Sequence, residues 1–196
     1  FDYGAEIDMP SEICHSWHSG ARYFTMTSMV FVISLFSPIS SKAADTKISF
    51  VNDVVPVLTK AGCNLGVCHA KAGGGQNGFQ LSLLGFEPVE DFEHIVLESR
   101  GRRLSFGSPD QSLLLLKGSG QLPHRGGLRL PKTSPGYAVI REWIRQGVPT
   151  DDASTPKLVS FEIEPKKGSL KPQSTQQLKA IARYSDGSIR DVTQMA

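Results

Sequence analysis

Two cysteines and a histidine lie within one short segment, Cys63-Asn64-Leu65-Gly66-Val67-Cys68-His69. Two thiols followed at once by an imidazole are typical of covalent haem attachment, in which the sulfurs form thioethers to the porphyrin vinyl groups and the histidine binds the iron. The cysteines are separated by four residues instead of the usual two, so we expect the intervening loop to bulge, helped by Gly66. The segment therefore predicts haem c attached through Cys63 and Cys68, with His69 as the proximal ligand.

The second axial ligand is predicted from the residues that remain. None of the four methionines lies in the predicted helical region around the cysteines. The other histidines of that region are His94 and His124, and we prefer His124 because its proline- and glycine-containing loop can cover a haem face. His69 and His124 are thus the predicted iron ligands, a pair that gives a lower reduction potential than His/Met ligation. The methionines are Met9, Met26, Met29 and Met195.

Other interpretations of the same residues stay open. His94 is the other candidate for the second ligand, and an open distal side would allow small-molecule binding or peroxidase-like chemistry. A zinc site would use Cys63, Cys68, His69 and one more histidine, and the chain would then be a haem-free extracellular binding module. No acid/base or nucleophile pattern is apparent elsewhere, so an electron-transfer module is favoured over a catalyst.

Composition and charge exclude several classes of protein. The chain has 196 residues, of which 39% are hydrophobic and 20% are charged, as in ordinary globular domains. The net charge of +2 comes with scattered basic residues, so no nucleic-acid partner is expected. An odd count of three cysteines argues against a disulfide framework.

Residues 1–43 are predicted to be an unstructured N-terminus and a signal peptide region. The segment 26–38 is apolar, follows Arg22 and precedes Ser41-Lys42-Ala43-Ala44, whose small residues suit cleavage. The apolar core is too short for a membrane span, which needs about 20 residues. We therefore expect export to the periplasm or the extracellular space and no stable membrane span after cleavage.

Residues 44–149 carry helical patterns separated by glycine and proline. The first helix is expected to start at Asn52 or Asp53, with Pro56 in its first turn, and to end at Gly62, which presents Cys63 just beyond it. A cap at Ser134 and stop signals at Gly147 bound the clearest amphipathic helix. These patterns predict a mainly α domain, with further helices over 88–99, 113–116 and 134–147.

The remaining chain has the alternating pattern of β-strands. A polar linker over 150–156 precedes expected strands at 158–163, 177–184 and 188–192, and Asp186-Gly187 is a turn signal between the last two. Three short strands cannot cover both faces of a sandwich. We therefore expect residues 157–196 to be a partial domain, with further domains downstream in a longer protein.

Several motifs, in their order along the chain, resemble the Planctomycete-type cytochrome c family across residues 47–149. The segment 182–193 is similar to the opening of a bacterial Ig-like domain of group 2. The resemblance implies covalent haem at Cys63 and Cys68, proximal ligation by His69, and one-electron exchange with a redox partner whose identity is unknown. The expected fold class is a mainly α cytochrome c-like domain followed by a truncated all-β Ig-like sandwich. The matching motifs are 53–58, 63–69, 78–83, 112–117, 123–129 and 137–147.

Overall fold

The helical segment that leads to the cysteines starts earlier than predicted. The computed structural model describes residues 46–196, so the predicted signal peptide lies outside the described residues. Ser49 is the N-cap: its hydroxyl accepts from the Asn52 N–H (3.0 Å), and the Asp53 carboxylate accepts from the Ser49 N–H (2.8 Å). The expected start at Asn52 or Asp53 is therefore wrong, because this reciprocal capping begins a π-helical turn, Phe50–Val54, before helix α1, Val55–Lys60.

The other predicted helices are present, with differences in length. Helix α2 stops at Val96 and gives way to a 3-10 turn in which Ser99 and Arg100 have positive φ, so it is shorter than predicted. The Ser134 hydroxyl accepts from the Tyr137 N–H (3.2 Å) at the start of α4, which confirms the predicted cap. No helix in residues 46–196 is long and apolar enough to cross a membrane. The helices α2, α3 and α4 span Pro88–Val96, Leu113–Gly118 and Pro135–Arg145.

The core is centred on Trp143 of α4. Its side chain is fully buried, its ring centroid lies 5.3 Å from that of Phe50, and Phe92 packs edge-on against both rings. The indole N–H donates to the Pro149 carbonyl (3.2 Å), so burial leaves no polar atom of the ring unpaired. This core fixes the end of α1, from which the cysteine segment continues.

The three predicted strands form one antiparallel sheet in the order β1-β2-β3. The register pairs Phe161 with Ala182 and Ile163 with Ala180, which places these side chains on the same face. Gly187 has φ +82 in the turn between β2 and β3, as the Asp186-Gly187 signal predicts. The strands β1, β2 and β3 span Leu158–Glu164, Lys179–Tyr184 and Ile189–Asp191.

The sheet contacts the first helical segment directly. The Arg190 guanidinium donates to the buried Asp53 carboxylate, and the Asn52 side-chain amide donates to the Pro156 carbonyl (2.7 Å). Met195 packs against both the helical core and the sheet. The described residues accordingly belong to a single compact unit.

The expected fold class, a mainly α cytochrome c-like domain followed by a truncated all-β Ig-like sandwich, is wrong. The four α-helices described have only 6, 9, 6 and 11 residues, and residues 46–196 hold a single three-stranded sheet. Apolar spacing indicates where a helix forms but not how far it extends. Here glycine, proline and left-handed residues end each helix after two or three turns, so irregular backbone fills much of the space between helices.

Candidate functional site

One cavity brings together all four predicted site residues. Cys63, Cys68, His69 and His124 line a space of about 920 Å³. This volume lies near the upper end of the range of about 300–1,000 Å³ that is usual for ligand and cofactor sites. The remaining wall comes from α3, from the loop around His124 and from the segment around Phe79. Residues separated by more than 60 positions in the sequence therefore face the same space.

The loop between the cysteines bulges, as predicted. Its two ends are held by main-chain hydrogen bonds, from the Cys63 N–H to the Leu58 carbonyl (2.9 Å) and from the His69 N–H to the Cys63 carbonyl (3.0 Å). Between them Val67 is 84% exposed. Both cysteines are free thiols, half-buried at the cavity wall. Leu65, Gly66 and Val67 thus extend into solvent while Cys63 and Cys68 face the same cavity.

A glycine-rich segment, Gly73-Gly74-Gly75, packs against the loop between the cysteines. A Cβ on Gly73 would lie only 2.6 Å from the Gly66 carbonyl oxygen, so the two backbones approach more closely than any side chain permits. The segment then returns to Phe79 through paired main-chain hydrogen bonds between Gln76 and Phe79. It therefore fixes the loop on one side and delivers Phe79 to the cavity on the other.

His69 is held with one ring nitrogen available for binding. Its Nδ1 lies 3.2 Å from the Phe79 carbonyl oxygen, and since a carbonyl only accepts, Nδ1 carries the proton and Nε2 keeps its lone pair. The Phe79 ring also packs against the imidazole, with centroids 4.6 Å apart. Burial is the main reason that the pKa of His69 is lowered, and the nearby His124 and Arg103 lower it further. The neutral imidazole is the form that binds a metal.

His124 has the same arrangement on the other side of the cavity. Its Nδ1 lies 3.0 Å from the Gly127 carbonyl oxygen, which again leaves Nε2 without the proton. The planes of the His69 and His124 rings differ by only 6°, and their centroids are 6.2 Å apart. The two rings therefore line the same cavity with nearly parallel planes.

Gly126 makes room for the His124 ring. A Cβ at position 126 would lie 2.7 Å from Cε1 of the imidazole and 3.2 Å from its Nε2. Any larger residue would therefore push the ring away from its present position. The His124-Arg125-Gly126-Gly127 sequence combines a potential ligand with the space that its side chain requires.

His94 has no free ring nitrogen and lies outside the cavity. Its Nδ1 lies 2.6 Å from the Gln80 carbonyl oxygen, and its Nε2 lies 3.5 Å from a carboxylate oxygen of both Glu90 and Glu98. It does not line the cavity. Both ring nitrogens are thus occupied outside the site, and the geometry favours His124 over His94 as the second ligand. Met195 packs against the core and the sheet, and also lies away from the cavity.

The two cysteines are not part of a preformed metal site among the described residues. Within residues 46–196, no group of three or more His, Cys, Asp or Glu side chains is arranged to hold a metal ion. Burial, and next the neighbouring Cys68, raise the pKa of the Cys63 thiol from its ordinary value of 9.0 to about 11, against a lowering effect of Arg129. Cys63 is therefore a protonated thiol at neutral pH.

Two residues behind His69, Phe79 and Arg103, were not predicted to be part of the site. Arg103 is only 5% exposed, and its guanidinium carbon lies 4.7 Å from the Phe79 ring centroid. The guanidinium donates to the main-chain carbonyls of His94 (2.6 Å), Gly78 (2.9 Å) and Glu98 (3.2 Å). Phe79 and Arg103 thus form a layer that supports the imidazole. Phe79 lies in the 78–83 motif, which predicts no role for it at the site, and an arginine is ordinarily expected at the surface.

Comparisons of the chain with known protein families, with curated proteins and with solved structures found no match.

Proposed function

We propose that the chain is an exported c-type cytochrome, which binds haem covalently and transfers single electrons. The observation that carries the proposal is the shared cavity of Cys63, Cys68, His69 and His124, with the two imidazole planes parallel and both Nε2 atoms free of the proton. The proposed export depends on the predicted signal peptide in residues 1–43.

Each of the four residues has a defined part in this proposal. Cys63 and Cys68 would hold the porphyrin by adding their S–H groups across its vinyl double bonds, which forms thioethers and leaves no by-product. His69 and His124 would bind the iron from opposite sides. The bound haem supplies the one-electron Fe(III)/Fe(II) couple.

The surrounding residues support the chemistry by fixing the two imidazoles. The Phe79 and Gly127 carbonyls select the tautomer of His69 and His124, respectively, and set the ring orientations. Phe79 also covers one side of His69 and limits access of water. Two histidine ligands would favour a low reduction potential and leave no open position for oxygen, which suits an electron-transfer role.

The proposal is tested by covalent haem incorporation. The full chain is expressed in a host that exports proteins and attaches c-type haem, and is then extracted with acidic acetone. We expect the wild-type protein to keep its Soret absorbance after extraction, and the Cys63→Ser/Cys68→Ser variant to lose it. Ser174→Ala, at an exposed position that does not line the cavity, is the control and should behave like the wild type. A colourless wild-type protein, or one that carries zinc, would overturn the proposal.

A further inference from the structure

The cavity wall is strongly cationic. Five basic residues line it and no aspartate or glutamate does, although the whole chain has 21 basic and 19 acidic residues. The positive charge of the cavity therefore does not follow from the composition of the chain. A cavity of this kind attracts an anionic ligand. The five residues are Arg102, Arg103, Lys117, Arg125 and Arg129.

Three of these cations already have structural partners. Arg103 donates to three main-chain carbonyls behind Phe79, as described above. Lys117 donates to the Pro123 carbonyl (2.8 Å) and Arg129 to the Gly126 carbonyl (2.6 Å), so both hold the loop that carries His124. Arg102 and Arg125 are exposed and form no ion pair or side-chain hydrogen bond within residues 46–196. These two guanidinium groups are available for a ligand.

We propose that Arg102 and Arg125 form a carboxylate-binding site in the cavity, which receives the two propionate groups of the haem. This inference rests on the proposed function. A guanidinium presents a planar pair of N–H donors that matches the two oxygens of a carboxylate. With no acidic side chain in the cavity wall, nothing in it competes for these donors. Two such groups provide one donor pair for each carboxylate of a ligand that carries two.

Arg129 lines the same cavity but lies near the cysteines, so it serves as the control position for Arg102 and Arg125. In a porphyrin the two vinyl groups and the two propionates lie towards opposite edges, so cations beside the cysteines are at the wrong end for the propionates. Arg129 is such a cation: its Nη1 lies 3.8 Å from where a Cβ on Gly62 would be, and its charge acts on the Cys63 thiol. Arg129→Gln therefore removes one positive charge from the same cavity, at the end where the vinyl groups of the porphyrin would lie.

The test uses metal-free protoporphyrin IX and its dimethyl ester, which add to the haem-free full chain without axial ligation. Affinity is measured by porphyrin fluorescence in one mixed solvent. We expect the free acid to bind more tightly than the ester to the wild type. Arg102→Gln/Arg125→Gln should weaken binding of the acid about tenfold and leave the ester unchanged, whereas Arg129→Gln should weaken the acid by less than about twofold.

The outcomes separate this inference from the proposed function. Equal affinity of the wild type for acid and ester overturns the carboxylate site without any variant, as does a double variant that binds the acid no more weakly than Arg129→Gln. Unchanged ester binding shows that the double variant is folded. If the chain acquires no covalent haem yet keeps an Arg102- and Arg125-dependent preference for the acid, the carboxylate site stands and the proposed function fails.

Discussion

The two histidines that face the cavity are held in very different ways. The His69 main chain bonds to Cys63 and to the fully buried Leu81, and its ring packs against Phe79, which Arg103 supports. His124 belongs to an exposed loop, and both its main-chain carbonyl and its Nδ1 bond to a single residue three positions away, Gly127. His69 is therefore part of the folded core, and His124 is held mainly by local turn geometry.

This difference has consequences for stability and for ligation. A change behind His69 disturbs buried hydrogen bonds between distant parts of the chain and should lower the free energy of unfolding. A change around His124 affects a short surface loop and should alter the second axial position while leaving the fold intact. Substitutions behind His69 and around His124 should therefore have separable effects on stability and on the haem spectrum.

Arg103→Met should give the largest loss of stability. The methionine fills a similar volume but leaves the carbonyls of Gly78, His94 and Glu98 without their donor, so we expect unfolding of the haem-free protein to become easier by about 3 kcal/mol. Chemical denaturation measures the change. Arg102→Met is the control at the neighbouring, exposed position and should shift stability by about 0.5 kcal/mol or less. Equal effects of the two substitutions would contradict the supporting role of Arg103.

High pH should destabilise the haem-free, reduced protein through Cys63. Since the folded state raises the pKa of this thiol to about 11, the folded protein keeps a proton that the unfolded chain loses above pH 9.0. Stability therefore falls as the pH rises from 9 to 11, by on the order of 2 kcal/mol from this group. The contribution is the difference in slope between the wild type and Cys63→Ala, measured by denaturation at each pH.

The same measurement on the haem-attached protein provides a second check. A thioether sulfur has no proton to lose, so the contribution of Cys63 to the pH dependence should disappear once haem is attached. If Cys63→Ala leaves the pH dependence of the unfolding free energy of the haem-free protein unchanged, the thiol is less shielded from solvent than its surroundings indicate.

Local features of the chain could be predicted from the sequence. The cap at Ser134, the left-handed Gly62 that follows α1 and the turn at Asp186-Gly187 each depend on one or two residues whose backbone preferences act at short range. The close spacing of Cys63, Cys68 and His69 similarly identified a candidate site without knowledge of the fold.

Long-range features could not be predicted in this way. The contact of Arg103 with the Gly78 carbonyl joins residues 25 positions apart, and no periodicity marks it. The bounds of the helices were predicted only approximately: α2 and α4 are shorter than expected, whereas α3 is longer. The irregular backbone between helices is stabilised by contacts such as that of Gly73 with Gly66, which apolar spacing does not indicate. His124 was preferred over His94 because of its proline- and glycine-containing loop, but its ring orientation depends on the loop geometry that Gly126 and Gly127 allow.

His124→Ala should barely change stability but should change the haem. Because its ring contacts are mostly local, we expect a loss of less than about 0.5 kcal/mol. In the haem-attached protein the low-spin absorption spectrum should be replaced by a high-spin one that binds carbon monoxide on reduction. His94→Ala is the control and should keep the wild-type spectrum, since His94 lies outside the cavity. The reverse result for the two variants would identify His94 as the second ligand.

Gly126→Ala should separate ligation from stability most sharply. Its Cβ would lie 2.7 Å from Cε1 of His124, so the imidazole must move, although the Gly126 backbone itself accepts alanine without strain. Alanine also restricts the unfolded chain, so the net change in unfolding free energy should be within about 0.5 kcal/mol of zero. The haem spectrum should become a mixture of low-spin and high-spin forms. Gly107→Ala is the matched control, because a Cβ there meets open space and should leave both spectrum and stability unchanged. If Gly126→Ala keeps a purely low-spin spectrum, the His124 ring is less confined than its contacts indicate, and the contrast between the two histidines is smaller than we infer.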